Sequence, residues 1–114
     1  MTERRPGVML AFFDIPEELD DEFNAWYNDE HIPEKVGNVP GFIRARRYKS
    51  VDGRPNYLAI YELEDMSVLE DSTYRANYRS GTSTTEKMKA KARTFFRGVY
   101  EEIHDAHGIS LDDA

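Results

Sequence analysis

The chain has 114 residues, enough for one domain, and its 39% hydrophobic and 32% charged residues are typical of a globular protein. It has no cysteine, which excludes disulfides, thiolate metal sites and a cysteine nucleophile and fits a reducing compartment such as the cytoplasm. The net charge of −7 argues against nucleic acid or an anionic membrane as the main partner.

The N-terminal part of the chain predicts a strand and then a helix. Residues 8–13, VMLAFF, form an apolar run typical of a strand buried on both faces, and the run is too short for a signal peptide or membrane span. Asp14 and Glu17 have the spacing of a capping box and predict a helix after them. The inward stripe of this helix contains Leu19, Phe23, Trp26, Tyr27 and Glu30. We expect Pro33 and Gly37 to end it.

A hairpin is predicted in the middle of the chain. Residues 42–49 and 57–63 are typical of antiparallel strands, and the glycine-containing segment 51–55 is a turn between them. Strict alternation along the first strand predicts one face made of Phe42, Arg44, Arg46 and Tyr48. The same alternation predicts an opposite face made of Ile43, Ala45, Arg47 and Lys49.

The C-terminal part of the chain predicts a second helix and a last strand. A second capping-box spacing at Ser67 predicts a helix over about residues 68–79. A short helix is expected over 86–92, and the run 94–103 is typical of a strand. Residues 104–114 are interpreted as a loose tail.

The order of the predicted elements is strand, helix, strand, strand, helix, strand. This is the split βαβ pattern of α+β ferredoxin-like folds, which have a four-stranded antiparallel sheet. Helices cover one face of such a sheet, and the other face must be buried elsewhere. Joining two bare faces about a two-fold axis buries both, so we expect a homodimer in which each chain is one domain with a core over about residues 8–103.

A motif spans the end of the first predicted helix and the turn after it. A W-Y-x-x-x-H-x-P stretch and a P-G-F turn are formed by Trp26, Tyr27, His31, Pro33, Pro40, Gly41 and Phe42. The segment 23–48 thereby resembles the dimeric α+β barrel superfamily, in particular its EthD-like and related small members. The stretch 57–65 also fits, so the resemblance covers roughly residues 8–103.

The resemblance implies a fold more than a reaction. The superfamily includes cofactor-free monooxygenases, lactone isomerases, polyketide cyclases, dehydratases and haem proteins, so fold analogy does not select the chemistry. In several members a histidine on a helix, or a neighbouring acid, works in a pocket between helices and sheet. The resemblance implies that role for His31.

His31 is the main candidate for chemistry, because the other two histidines, His104 and His107, lie in the predicted tail. Near a helix C-terminus the helix dipole favours the charged imidazolium, and the adjacent Asp29 and Glu30 act in the same direction. Such a group can move protons near neutral pH, and a neighbouring acid can orient it or act as acid or base itself. The alternative is that His31 only caps the last carbonyls of its helix and that Glu30 is an exposed acid paired to a basic residue.

Aromatic and basic side chains are the candidates for substrate binding. The candidates are Trp26, Tyr27, Arg44, Arg46, Tyr48, Tyr61, Tyr74 and Tyr78. Arginines on a pocket face can hold a carboxylate or an enolate, and tyrosines can line a pocket for a planar, mostly apolar ligand. The alternative is that the arginines pair with acids of the first helix or a partner subunit and that the aromatic rings form core and interface.

These residues favour a cofactor-independent enzyme. Neither a zinc-type histidine spacing nor a glycine-rich phosphate loop occurs, so no metal or nucleotide site is predicted. We expect proton transfer on a small, enolisable aromatic or polyketide-like molecule, as in an isomerase, lyase, cyclase or monooxygenase, with His31 as the acid–base. The alternatives are a non-catalytic ligand-binding or structural dimer, and a haem protein, because a lone histidine can be an axial haem ligand.

Overall fold

The fold is a four-stranded antiparallel sheet with helices in two of the connections between its strands. The structure is a computed structural model, which describes residues 3–79, 88 and 93–113. The side chains of residues 77–79 and 93–95 are outside this description. The strands are β1 Gly7–Asp14, β2 Phe42–Lys49, β3 Tyr57–Leu63 and β4 Arg93–Glu101. Their order in the sheet is β2-β3-β1-β4, which confirms the predicted ferredoxin-like α+β arrangement.

Two helical segments lie in the connections between strands. The first comprises a 3-10 turn Glu17–Leu19, helix α1 Asp20–Trp26, a π-turn Tyr27–His31 and helix α2 Ile32–Lys35. The second comprises a 3-10 turn Met66–Glu70 and helix α3 Ser72–Arg79. The short helix predicted over 86–92 falls outside the described residues except at position 88. Within the described part of the chain, no helix is long and apolar enough to cross a membrane.

The first helical segment continues past Pro33, so the prediction that His31 lies at a helix end is wrong. Proline lacks an N–H, and its ring clashes with the carbonyl four residues earlier in a regular α-helix. The preceding turn is widened instead, and the Ile32 N–H donates to the Tyr27 carbonyl five residues back. The helix ends at Lys35, and Gly37 follows with a positive φ of 102°. His31 therefore lies inside the helical segment, in its π-turn.

The predicted capping boxes at Asp14 and Ser67 are also wrong. The Asp14 carboxylate instead pairs with Arg54, at 2.5 Å, and the first 3-10 turn has no side-chain cap. The second helical segment is capped by aspartates, because Asp65 accepts the Ser67 N–H at 2.9 Å and Asp71 accepts the Thr73 N–H at 2.7 Å. In the first case Arg54 engages the predicted cap, and in the second an aspartate occupies the N-cap position.

A β-bulge at the start of β2 changes the faces predicted for that strand. Phe42 pairs with Leu63 and Arg44 pairs with Glu62, so Ile43 is the extra residue. Beyond the bulge the alternation is reversed relative to Phe42. Phe42 therefore shares the helix-covered face with Arg47, and the prediction that it shares a face with Arg44 is wrong.

The core lies between the helices and one face of the sheet. Its buried side chains include Met9, Ile15, Phe23, Trp26, Tyr27, Val39, Phe42, Tyr57, Tyr61, Leu63 and Tyr74. The opposite face carries no helix, so its side chains are half-buried or exposed in the described structure. They include Val8, Leu10, Phe12, Leu58, Ile60, Phe96 and Tyr100, which we call the open face. After β4 the chain extends through an exposed segment, 102–113.

Candidate functional site

The imidazole of His31 lies against two aromatic rings on the helix-covered side of the sheet. It stacks on the Trp26 indole with 4.6 Å between ring centroids and an interplanar angle of 25°. It meets the Tyr27 ring nearly edge-on, at 4.9 Å and 72°. A regular α-turn would rotate residue 31 away from residue 26, whereas the π-turn, with its i to i+5 hydrogen bond, brings them together. The π-turn thus positions the predicted histidine.

Glu34 supplies a carboxylate beside this imidazole. Its Oε2 lies 3.8 Å from His31 Nδ1, and the two side chains are only 24% and 15% exposed. The acids predicted to assist His31 lie elsewhere on the helix surface, Asp29 exposed and Glu30 half-buried. Sequence reasoning missed Glu34 because Pro33 and Gly37 were expected to end the helix there. The signal was the i, i+3 spacing, which places His31 and Glu34 on one helix face.

Two buried phenols form a hydrogen-bonded pair under the helix. The hydroxyl oxygens of Tyr27 and Tyr61 are 2.8 Å apart. Burial raises the pKa of Tyr27 to about 12, and burial followed by the neighbouring Tyr27 also raises the pKa of Tyr61. Both phenols therefore stay neutral at physiological pH. One donates its proton to the other, and the second proton is left to be donated outward.

Arg47 packs its guanidinium onto aromatic rings of the same cluster. Its Cζ lies 4.6 Å from the Tyr27 ring centroid, 5.3 Å from that of Tyr57 and 5.5 Å from that of Phe23. These are cation–π distances. Arg47 was missed as a site residue because the bulge at Ile43 decides the face on which it lies.

The guanidinium of Arg47 is held by two neutral amides. Its Nη1 donates to Asn28 Oδ1 at 2.9 Å and its Nη2 donates to Asn24 Oδ1 at 2.8 Å. Burial lowers the pKa of Arg47, and nearby tyrosines and Asp20 partly oppose that effect. The Asp20 carboxylate itself accepts a hydrogen bond from the Tyr57 hydroxyl.

Three predicted binding residues lie away from this cluster. Arg44, Arg46 and Tyr48 follow the bulge and point to the face of the sheet opposite the helices. Arg46 Nη2 lies 3.4 Å from Glu62, and Tyr48 is 46% exposed. The structure therefore does not bring these three side chains together with His31.

The remaining two predicted tyrosines lie on α3. Tyr74 is buried and stacks on Phe42 with 5.6 Å between centroids, and its hydroxyl accepts from Arg97 Nη2 at 2.8 Å. It therefore belongs to the core at the other end of the helix-covered face. The side chain of Tyr78 lies outside the described residues.

A separate cleft of about 560 Å³ lies near the N-terminus, between the Pro40–Gly41 turn and residues 64–70. None of its lining residues belongs to the His31 cluster. Among residues 3–79, 88 and 93–113, no group of three or more histidine, aspartate or glutamate side chains is arranged to hold a metal ion.

Comparisons with known proteins support the fold. No family model matches the sequence, and no curated protein matches it. The crystal structure of HapK from Hahella chejuensis aligns with a TM-score of 0.58 and 12% identity, over 92% of this chain and 99% of that one. An ethyl tert-butyl ether D (EthD) family protein from Bacillus halodurans aligns with a TM-score of 0.56 and 16% identity, over 87% of this chain and 99% of that one. The chain therefore has an EthD-like α+β fold, and its predicted resemblance to EthD-like proteins is confirmed for the fold alone.

Proposed function

We propose that the chain is a cofactor-independent enzyme that transfers a proton on a small, enolisable aromatic or polyketide-like molecule. The observation that carries the proposal is the position of the His31 imidazole, stacked on an indole and 3.8 Å from the Glu34 carboxylate. A carboxylate near one ring nitrogen stabilises the imidazolium that forms when the other nitrogen accepts a proton. The arrangement suits a general base.

The proposed reaction begins with removal of a proton from the carbon next to a carbonyl group. His31 accepts that proton, and the electron pair of the broken C–H bond moves onto the carbonyl oxygen to give an enolate. The outward O–H of the Tyr27–Tyr61 pair would donate a hydrogen bond to this oxygen and keep its proton, because both phenols are neutral. The imidazolium then returns the proton to another carbon or to a leaving group. Isomerisation, elimination and cyclisation share the formation of the enolate and differ only in the step that follows it.

Deuterium incorporation into a test compound measures the proton transfer, and the natural substrate need not be known. In D₂O, 1-tetralone gains deuterium next to its carbonyl group whenever a base removes a proton there, and NMR follows the loss of that signal. We expect the wild-type chain to accelerate the exchange over buffer and His31→Gln to slow it by about 100-fold, the usual scale for a general acid–base. An unchanged rate in a folded His31→Gln variant would shift the role to Glu34 or Glu30.

The tight ring packing around His31 favours one alternative, a binding or structural protein without turnover. The imidazole centroid lies 4.6 Å from that of the Trp26 indole and 4.9 Å from that of the Tyr27 ring, and these two rings are 5.5 Å apart. A ligand-induced thermal shift with no deuterium exchange would support this alternative. The haem alternative makes a different prediction, a Soret band on addition of haem that is lost in His31→Gln.

We propose in addition that two chains associate through their open faces. Phe96 and Tyr100 are 45% and 47% exposed there, although large aromatic side chains are usually covered. A second copy presents the same apolar surface, so a two-fold axis buries both.

A further inference from the structure

We propose that Arg47 is an anion-binding residue and that the ligand of the site is an aromatic acid, with a carboxylate or an equivalent acidic oxygen beside its apolar part. This inference rests on the proposed function, because it names the ligand class of the same site. It is carried by the charge, the hydrogen bonds and the surroundings of one half-buried guanidinium.

Arg47 carries a positive charge that no nearby side chain of the described residues neutralises. No carboxylate lies within ion-pair distance of its guanidinium among residues 3–79, 88 and 93–113, although the chain has 22 acidic residues and a net charge of −7. Other arginines of the described chain have such a partner, as Arg46 has Glu62 and Arg54 has Asp14. A half-buried cation without a counterion favours an anion brought by a ligand.

The hydrogen bonds of Arg47 leave part of its guanidinium open. The guanidinium has five N–H donors, and two of them go to the side-chain oxygens of Asn24 and Asn28. These amides fix the plane of the group without neutralising its charge. Three donors remain without a partner among the described residues, and a planar fork of donors matches a carboxylate in geometry.

Aromatic rings and a second cation surround Arg47. The guanidinium rests on the Tyr27 ring, and the His31 imidazole contacts the same ring in a T-shaped arrangement. A second cation, Lys49, lies further along the same strand face, with Nζ 5.9 Å from the Tyr57 ring centroid. An acidic group at Arg47 would therefore place an attached aromatic body beside the rings that surround His31.

The phenol beside Arg47 does not supply the missing negative charge. The pKa of Tyr27 is about 12, so the ring under Arg47 is neutral at physiological pH and attracts the guanidinium only through its π face. A cation–π contact alone leaves the guanidinium edges open to an anion. The structural alternative, in which Arg47 only covers the aromatic rings, predicts equal binding of neutral and acidic ligands.

The experiment compares a matched pair of probes, 2-naphthoate and 2-naphthamide, by calorimetry on the full chain. They have the same size and shape and differ in charge. We expect the wild-type chain to bind 2-naphthoate at least about tenfold more tightly, the scale of one charge-assisted hydrogen-bonded pair. Arg47→Gln should abolish this preference and leave 2-naphthamide binding nearly unchanged. Arg4→Gln makes the same charge change at an exposed arginine that pairs with Glu64, and it should keep the preference.

The outcomes separate this inference from the proposed function. His31→Gln should lose deuterium exchange yet keep the preference for 2-naphthoate, and loss of the preference there would place the anion at His31 instead. If Arg47→Gln does not fold, Arg47→Lys keeps the charge but not the planar fork, and the preference should fall about threefold or more. The inference is overturned if the wild-type chain binds both probes equally or binds neither, or if the preference survives in the folded Arg47 variant.

Discussion

The buried phenol pair makes alkaline pH a direct test of the site at the scale of single residues. Because the pKa of Tyr27 is raised from 10 to about 12, its contribution to stability is fully present below pH 10 and is lost as the pH rises through about 12. In that window the unfolded chain has released a proton that the folded chain retains, so the free energy of unfolding must fall with rising pH. We expect Tyr27 to contribute on the order of 2–3 kcal/mol to this fall, measured by urea unfolding at a series of pH values.

Two tyrosine-to-phenylalanine variants test whether Tyr27 causes this fall in the free energy of unfolding at alkaline pH. Tyr27→Phe removes the ionisable group, so its stability should decline less steeply above pH 10 than that of the wild-type chain. Tyr48→Phe makes the same change on the outer strand β2, at a side chain that is 46% exposed and is not among the open-face residues, and should leave the wild-type slope intact. Equal slopes in all three proteins would mean that Tyr27 is solvated.

Trp26 tests the other ring that contacts His31. It is 5% exposed, which confirms the prediction that it lies in the inward stripe of the first helix. Trp26→Ala should lower the free energy of unfolding by about 3–5 kcal/mol, the cost of emptying a large buried aromatic site. Val51→Ala, at a fully exposed position, serves as the control in the same denaturant titration. A loss below about 1 kcal/mol for Trp26→Ala would mean that the core relaxes around the gap.

At the scale of elements, the Pro40–Gly41–Phe42 turn requires a glycine at its centre, which accounts for the glycine of the P-G-F motif. Gly41 has a φ of +95°, and a Cβ there would lie 2.2 Å from Val68 Cγ2 of the second helical segment. We expect Gly41→Ala to cost about 2–4 kcal/mol in thermal or chemical unfolding, from backbone strain and overpacking together. Gly37→Ala is the matched control, because Gly37 has a similar φ of +102° and open space around its Cα. It should cost only the strain, about 1–2 kcal/mol. Equal costs would contradict a tight contact between the turn and Val68.

The elements also show which features a sequence predicts and which it does not. The strands at 42–49 and 57–63 have the predicted bounds, because alternation and turn residues are local signals. The bulge at Ile43 was missed because it depends on pairing with β3, and the predicted Asp14 cap was lost to Arg54, forty residues away. The same dependence on the folded structure explains which site residues were predicted and which were missed. His31, Trp26, Tyr27 and Tyr61 were singled out from residue type and motif, whereas Glu34 and Arg47 depend on the π-turn and the bulge.

For the whole molecule, the sheet has two faces and the described helices cover one of them. Along the apolar run of β1 the degree of burial alternates, since Met9 and Ala11 are buried on the helix-covered face and Leu10 is half-buried on the other. Complete burial of a side chain such as Leu10 contributes about 1.5–3 kcal/mol. Covering the open face with a second chain would therefore favour association. Its shape is that of a sheet, which suits a second sheet better than a small ligand.

The open face therefore predicts the oligomeric state. We expect a homodimer at micromolar concentration that buries about 1,500 Å² or more in total, measured by sedimentation equilibrium. Leu10→Arg places a charge at the centre of the face, on a side chain that is already half-exposed in one chain, so it should yield a folded monomer with unchanged secondary structure. Val51→Arg adds the same charge at a fully exposed position in the β2–β3 turn and should remain dimeric. A wild-type chain that sediments as a compact monomer would contradict the paired sheets, and a Leu10→Arg variant that stays dimeric would place the interface elsewhere.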